Sequence, residues 1–496
     1  MRADYDVAIA GSGFAGSLLA MIARRLGKSV ILLERGRHPR FAIGESTTPL
    51  SNLLLEELAT RYDLPELLPL CKWGPWQRTC PNLACGLKRG FTFYHHQPGR
   101  ESRREDQLLV AASPHDAIAD THWYRAGVDS FFVDEARKAG VEYLDEVRLE
   151  SAREEDHGMR IEGLRDGQPL SIAARFVVDA TGPRGFLHRA LSLPEAPLPN
   201  FPATQALYAH FTGVRRLDDS APSHEIPPYP VDDAAVHHVF DGGWIWVLRF
   251  NNGITSAGVS AQFDVGGGEP AWRRLIERFP TIRAQFAEAR ATMPFVHAPR
   301  LSFRSGVVAG RRWALLPSAA GFVDPLLSTG FPLTLLGVAR LAGIFECNFD
   351  DAELAAYAQR TDDELLATAR LIGALYANMA DFPVFASLSM LYFAVASFSE
   401  AARRLGRPQL ATSFLLQDNP AFQMQRILER TSSPTLADDV QRFIEPFNVA
   451  GLADPQRQNW YPANADDMLR GAAKLAASRD EVVRMLERCE FHATAR

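Results

Sequence analysis

A chain of 496 residues can bury a large core and has room for more than one domain. Its 47% apolar and 23% charged content is ordinary for a globular protein, which excludes a disordered or fibrous class. The net charge of −6 leaves no basic footprint for nucleic acid.

Residues 6–10 are predicted as a buried parallel strand, Gly11-Ser12-Gly13-Phe14-Ala15-Gly16 as a turn, 17–26 as a helix and 29–33 as a second strand ending at Glu34. A strand this early leaves no room for a signal peptide. Residues 51–110 carry few strand signals and read as an insertion, although Phe91 and Phe93 alternate as on a strand. Residues 123–129 lead into a helix at 130–139, followed by a strand at 140–144. Another strand, 175–178, feeds Asp179-Ala180-Thr181-Gly182. Residues 200–300 alternate as a mostly antiparallel sheet, and 313–316 form a strand before Gly321-Phe322-Val323-Asp324-Pro325. Beyond about residue 345 the chain reads as helical. Its uncharged stretch 382–398 falls short of the ~18–20 residues of a membrane span and reads as a buried helix. The five cysteines form no C-x-x-C pair, so neither a zinc site nor a disulfide framework is indicated, and a reducing cytoplasm is expected.

The G-x-G-x-x-G turn sits between strand and helix, with an acid about 20 residues on, which is the dinucleotide-binding arrangement. Gly11 permits the tight turn, Gly13 lets backbone approach a pyrophosphate, and Gly16 lets helix and strand pack closely. Ala15 shares the turn, and the helix N-terminus offers N–H groups and a positive dipole end to phosphate. Glu34 suits the ribose hydroxyls. Asp179 with Gly182, and Asp324 with Gly330, lie in two further segments fit for one FAD, Asp324 toward its ribityl–pyrophosphate region. In this chain order the three segments resemble the glutathione-reductase-like FAD superfamily, in the branch shared by aromatic hydroxylases, geranylgeranyl reductases and halogenases. Gly44-Glu45-Ser46-Thr47-Thr48-Pro49 and Arg125-x-x-x-Asp129 resemble the same branch, which places Glu45 and Arg125 near the flavin. Pro317-Ser318-Ala319-Ala320 stands where many relatives carry Gly-Asp-Ala.

Ala84-Cys85-Gly86-Leu87-Lys88-Arg89-Gly90-Phe91 resembles the lysine segment of flavin-dependent halogenases. Gly243-Trp244-Ile245-Trp246-Val247-Leu248 resembles their Trp-x-Trp signature, with Arg249 where the signature has proline. Residues 321–330 resemble their flavin- and halide-binding segment. The likeness runs from residue 5 to about 345 and is nearest to the phenol-type, phloroglucinol halogenases. It implies an α/β fold: a glutathione-reductase-like FAD-binding domain, a mixed-sheet substrate region and a helical C-terminal region. The expected boundaries are 1–345 for the FAD-binding module, with the substrate sheet at about 195–300, and 346–496 for a helical cap. Met379, Phe382, Phe385, Met390, Tyr392 and Phe393 are candidates for an aromatic-rich wall on that cap.

The implied reaction uses FADH2, O2 and chloride or bromide, through a flavin hydroperoxide and hypohalous acid, to halogenate an electron-rich aromatic. Lys88 becomes the halogen-transfer lysine, by chloramine formation or by hydrogen bonding, and works best desolvated. Thr329 and Gly330 become the halide site. Trp244, Trp246, Phe93 and Leu327 line the passage to substrate. Leu327 stands where tryptophan halogenases carry a glutamate, which favours a phenol activated by its own hydroxyl. Glu45, His95, His96 and His122 are candidates for its base. With no second Gly-rich unit for NAD(P)H, a separate flavin reductase is the expected source of FADH2, and a homodimer stays open. No nucleic acid, membrane span or metal is expected. The competing readings are a flavin-dependent hydroxylase or reductase of the same superfamily and a non-catalytic FAD-binding protein.

Overall fold

Two sheets meet over a common core in this computed structural model, which describes residues 4–218, 226–420, 422–431 and 433–491. In the first, the strand Tyr5–Ala10 lies between Val30–Leu33 and the C-terminal half of Gln168–Asp179, parallel to both. Glu142–Leu144 and Trp313–Leu315 extend it in parallel on either side. Helices cover parallel strands on both faces, so they read as continuous apolar runs. Accordingly Val30, Ile31, Leu32 and Leu33 are all buried. The helix Phe14–Arg25 follows the first strand, and Gly330–Glu346 packs against it.

The second sheet is mixed. Gln205–Thr212, Thr255–Ala261, Gly243–Arg249 and Ala235–Phe240 are successive antiparallel neighbours, as the alternation predicts. The sheet then continues into Gly90–His95 and Gln107–Ala111, inside the stretch that reads as a strand-poor insertion. Gly90–His95 is buried at all six positions. Both its faces are covered, so alternation is weak outside the two phenylalanines. It joins Ala235–Phe240 in parallel, a non-local pairing. A separate two-stranded ribbon pairs Cys85–Lys88 with Asp120–Trp123. The helix expected at 130–139 begins earlier, as Arg125–Lys138.

The C-terminal helices are continuous with the rest. Leu375 and Phe385 belong to the same apolar cluster as Val7 and Leu18. Trp460–Tyr461 pairs with Gln107–Ala111 at the edge of the mixed sheet. Leu326–Glu346 and Phe382–Arg404 are long and apolar enough to cross a membrane by composition, but 72% of each apolar window is buried within the protein. They are core helices here, and all five cysteines are unpaired.

One close contact fixes the ribbon to the mixed sheet. A Cβ on Gly86 would fall 1.9 Å from the Arg249 carbonyl oxygen, and Cys85 exchanges backbone and side-chain hydrogen bonds with Asn251. Gly86→Ala is therefore expected to force the strand carrying Lys88 away from its support. The expected cost is about 1–3 kcal/mol, checked by the denaturant midpoint of the variant against wild type.

Candidate functional site

The nucleotide turn has the geometry its glycines predict. Gly11 has φ +100, and a Cβ on Gly16 would lie 2.0 Å from the Gly11 carbonyl oxygen. Only glycine allows that helix-to-turn contact. The helix that starts at Phe14, just before Ala15 and Gly16, has no side-chain cap from Gly13; Phe14 N–H donates to Asp129 Oδ1 at 3.1 Å, and the N–H groups that follow in the first turn are left for an anion. Glu34 closes the turn by accepting from Ser12 Oγ at 2.8 Å and Arg40 at 3.0 Å. Burial would raise its pKa, but Arg40, Gly36 N–H and Ser12 reverse that and hold it down at about 2. Glu34 is thus an anion ready to accept hydroxyl donors. Arg125 pairs with buried Asp129 at 2.8 Å and donates to the Ile43 and Gly44 carbonyls. Its guanidinium lies 3.4 Å from where a Gly13 Cβ would be, so it faces the turn. Asp179 ends its strand, accepting from Thr181 and Leu187 N–H, and Gly182 beside it has φ +87 with open space around. These glycines, the uncapped helix and the ribose-side carboxylate fit FAD.

The third segment approaches the same place. Leu327 and Ser328 both have positive φ, 65 and 54, which non-glycine residues adopt at a cost. Leu327 is buried and Thr329 nearly so, while Gly330 is exposed and opens the 17-residue helix Gly330–Glu346, which also lacks a side-chain cap. Phe331 in its first turn stacks on Phe14 at 4.8 Å, and Trp123 meets both rings edge-on. Two helix N-termini are thereby held together by one aromatic cluster.

Oδ1 of Asp324 accepts from Trp244 Nε1 at 3.1 Å and from Leu326 N–H, and Oδ2 accepts from Ser260 at 2.7 Å and Tyr376 at 2.9 Å. Burial lifts its pKa to about 6 against these donors. Its carboxylate accepts from four groups of the protein and anchors Trp244. Trp244 is 1% exposed and stacks on His237 at 5.0 Å; His237 stacks on Phe93 at 4.5 Å, and Phe93 on Phe91 at 6.3 Å. Trp246 fills the space over Gly258, where a Cβ would meet its ring at 2.4 Å. A continuous row of rings therefore runs along one sheet face from the Asp324 loop to Phe91. Arg249, in the place of the signature proline, is bound to Asp232 and to the Val214 carbonyl, so its role is structural.

Lys88 ends the ribbon strand and has no exposed surface. Its Nζ donates to Ser46 Oγ at 2.9 Å and to the Thr47 carbonyl at 2.5 Å, and lies 3.9 Å from the Phe91 ring centre. The segment 45–48 reaches it because Thr47 bonds to Thr121 and Ser46 bridges His122, on the strand that pairs with Lys88. Burial pulls the Lys88 amine down to about 7, against the opposing field of Asp120. Asp120, directly opposite Lys88 in register, is pushed well above the ordinary carboxylate range by burial, with Lys88 and Asn52 opposing. His237 and His122, which also face the amine, are held neutral by burial.

A cavity of about 130 Å³ adjoins this pair, lined among others by Asn52, Phe91, Asp120, Tyr392, Phe393 and Glu400. Phe91 separates it from Lys88. Of the expected aromatic wall, Tyr392 and Phe393 reach the cavity, and Phe385 packs on Phe93. Phe382 stacks on His95, while Met379 and Met390 are core. None of the four candidate bases lines it. Glu45 is bound to His210 at 2.8 Å, and His96 to His238 at 2.8 Å. His122 bonds to the Ala234 carbonyl. Asp120 and Asn52, which do line it, carry no motif of their own. Asp120 is placed by its strand pairing with Lys88, 32 positions away, and Asn52 by its hydrogen bond to Asp120.

Residues 103–383, more than half of the chain, match the sequence profile of the family described as tryptophan halogenase. Tetracycline 7-halogenase of Kitasatospora aureofaciens is 31% identical over 413 residues, covering 78% of this chain and 72% of that protein. Monodechloroaminopyrrolnitrin halogenase PrnC of Pseudomonas fluorescens is 30% identical over 380 residues, covering 73% of this chain and 66% of that one. The fold is similar to the crystal structure of halogenase PltM in complex with phloroglucinol and FAD. There the TM-score is 0.76 at 24% identity, over 98% of this chain and 96% of that one.

The depressed Lys88 amine has a thermodynamic consequence. Between its lowered folded pKa and its unfolded pKa near 10.5, the unfolded chain binds more protons than the folded one, so stability contributed at this site rises with pH. Lys88→Met, which removes the buried cation, is expected to be at least as stable as wild type at neutral pH. Wild type should then gain on it by at most about 1.4 kcal/mol per pH unit up to pH ~10. Urea unfolding of both proteins across that range checks the sign.

Proposed function

The chain belongs to the tryptophan halogenase family and is a flavin-dependent halogenase, and we propose that Lys88 delivers the halogen to a small phenol. Bound as FADH2, with O2 and chloride or bromide, the flavin supplies the electrophilic halogen. The chain's residues hold that chemistry and direct it. Gly11, Gly13, Ala15 and Gly16 receive the pyrophosphate, Glu34 the ribose, and Arg125, Glu45, Asp179 and Gly182 surround the remaining cofactor. The Thr329 and Gly330 N–H groups, at an uncapped helix start after two left-handed residues, suit a halide.

The observation that carries the reading is the state of Lys88. An ordinary lysine is almost wholly protonated at neutral pH and cannot act as a nucleophile. Full burial, with the amine held by Ser46 Oγ, the Thr47 carbonyl and the Phe91 ring, pulls its pKa well below the ordinary lysine value and so favours the neutral amine that captures hypohalous acid. Protonated, the same group hydrogen-bonds the oxidant and polarises it. The Trp244–His237–Phe93 row walls the passage and keeps water away from the oxidant.

Three features favour a phenol. Leu327 stands where the resemblance to tryptophan halogenases would place a glutamate. The cavity of about 130 Å³ is on the scale of the ~150 Å³ that accepts a benzene ring, so a one-ring substrate fits. The similarly folded PltM is described with phloroglucinol. A separate reductase is the proposed source of FADH2, and the five unpaired cysteines suit a reducing cytoplasm.

The test is product mass. The protein is incubated with FAD, a generic flavin reductase, NADH, air and bromide or chloride, over a panel of phenols, pyrroles and indoles. The expected result is a halogen isotope pattern on a phenol such as resorcinol, reduced at least about 100-fold in Lys88→Ala. Hydroxylated products that ignore halide would overturn the reading.

A further inference from the structure

We propose that Asp120 is the base of the reaction: it accepts the hydroxyl proton of the phenol as the ring attacks the halogen. The assignment rests on the phenol reading above.

Three observations carry it. Asp120 stands opposite Lys88 in the ribbon and lines the cavity with Phe91 and Tyr392. Phe91 touches the Lys88 amine from its other side. A ring in this cavity would thus lie against Asp120 and Phe91, the two residues that also adjoin the halogen carrier, so the proton acceptor is held beside both substrate and halogen source. Second, Oδ1 of Asp120 is held by Asn52 Nδ2 at 2.8 Å, while Oδ2 is buried with no partner. A buried carboxylate oxygen without a donor is costly, and its presence beside a cavity points to a ligand that supplies the donor. Third, Asn52 is fixed in the first turn of the helix Pro49–Arg61, which Thr48 caps, so the carboxylate is oriented by backbone.

The surroundings suit the role. Lys88, Glu400, Arg404 and Tyr392 are the other titratable or charged groups that act on Asp120. Arg404 is occupied by Glu400 at 2.7 Å at the cavity wall, which leaves Asp120 as the carboxylate near Lys88 without a cationic side-chain partner of its own. Burial raises its proton affinity toward that of a useful base.

The step balances with hypohalous acid as oxidant. Ring carbon forms a bond to halogen as the halogen–oxygen bond breaks, or the halogen–nitrogen bond if Lys88 carries it. The phenol O–H proton passes to Asp120, giving a halogenated dienone. The ring proton passes to the released hydroxide, making water, or, when Lys88 carries the halogen and water left as the halogen–nitrogen bond formed, to the released Lys88 nitrogen, restoring the amine; Asp120 then returns its proton to the ring oxygen. The sum is phenol plus hypohalous acid to halophenol plus water.

The experiment compares wild type, Asp120→Asn and Asp120→Glu in the reconstituted full-length enzyme. The probes are resorcinol and a fluorinated resorcinol acidic enough to be largely ionised at the assay pH. Flavin fluorescence titration verifies that each variant binds FAD. Asp120→Asn is expected to lose about 100-fold or more on resorcinol and less than about tenfold on the ionised phenol, since the latter needs no base. Asp120→Glu should keep a smaller, substrate-independent deficit. Equal losses of Asp120→Asn on the two phenols, or none on either, would overturn the base assignment while leaving the phenol reading intact. Wild type that halogenates an indole or pyrrole but neither phenol would overturn both.

Discussion

An amine without access to water is the constraint on which this site depends. A lysine ammonium buried in protein is unfavourable unless donors, acceptors and neighbouring charge compensate for lost hydration. Here the compensation comes from the Thr47 carbonyl, the Ser46 hydroxyl, the Phe91 ring and the field of Asp120. They come from three segments, 46–47, the strand of Phe91 and the strand of Asp120, so the site exists only when those segments are docked. Compensation is also partial, and the remainder appears as a lowered pKa.

The rest of the architecture brings that amine into line with a cofactor site. The parallel sheet presents its turn glycines and the start of Phe14–Arg25 at one end. The mixed sheet presents Trp244, His237, Phe93 and Phe91 along one face. The Phe14, Trp123 and Phe331 rings hold the starts of two helices to the ribbon that carries Lys88, and Asp324 clamps Trp244 of the mixed sheet to the loop that precedes Gly330. Arg249 shows how little the individual signature letters decide. A proline position is filled by an arginine whose ion pair with Asp232 stays away from the ring row, and its carbonyl still abuts Gly86.

The long C-terminal helices complete the enclosure. Phe382–Arg404 places Tyr392 and Phe393 on the cavity and Phe385 against Phe93, while its apolar remainder is absorbed into the common core. Its composition alone would also suit a membrane, and burial by neighbouring helices is what gives it a core role here.

The sequence by itself determined what is local. The G-x-G-x-x-G turn with Glu34, the Lys88 segment and the Trp-x-Trp strand are contiguous, and their chemistry depends on backbone conformations that a few neighbouring residues dictate. Tertiary structure alone decided what is non-local. The strand Gly90–His95 reads poorly because it is buried on both faces, and its parallel partner lies about 145 residues further on. Glu45-Ser46-Thr47 looks like part of a flavin motif, yet Ser46 and Thr47 hold the lysine, because a bridge at His122 brings them beside it. The bonds from Trp244, Ser260 and Tyr376 to Asp324 join three distant segments and are invisible in its local sequence. Asp120 has no motif at all. Its placement opposite Lys88 comes from pairing two short strands, and hydrogen-bond register between distant segments leaves no mark on the residues beside it in the chain.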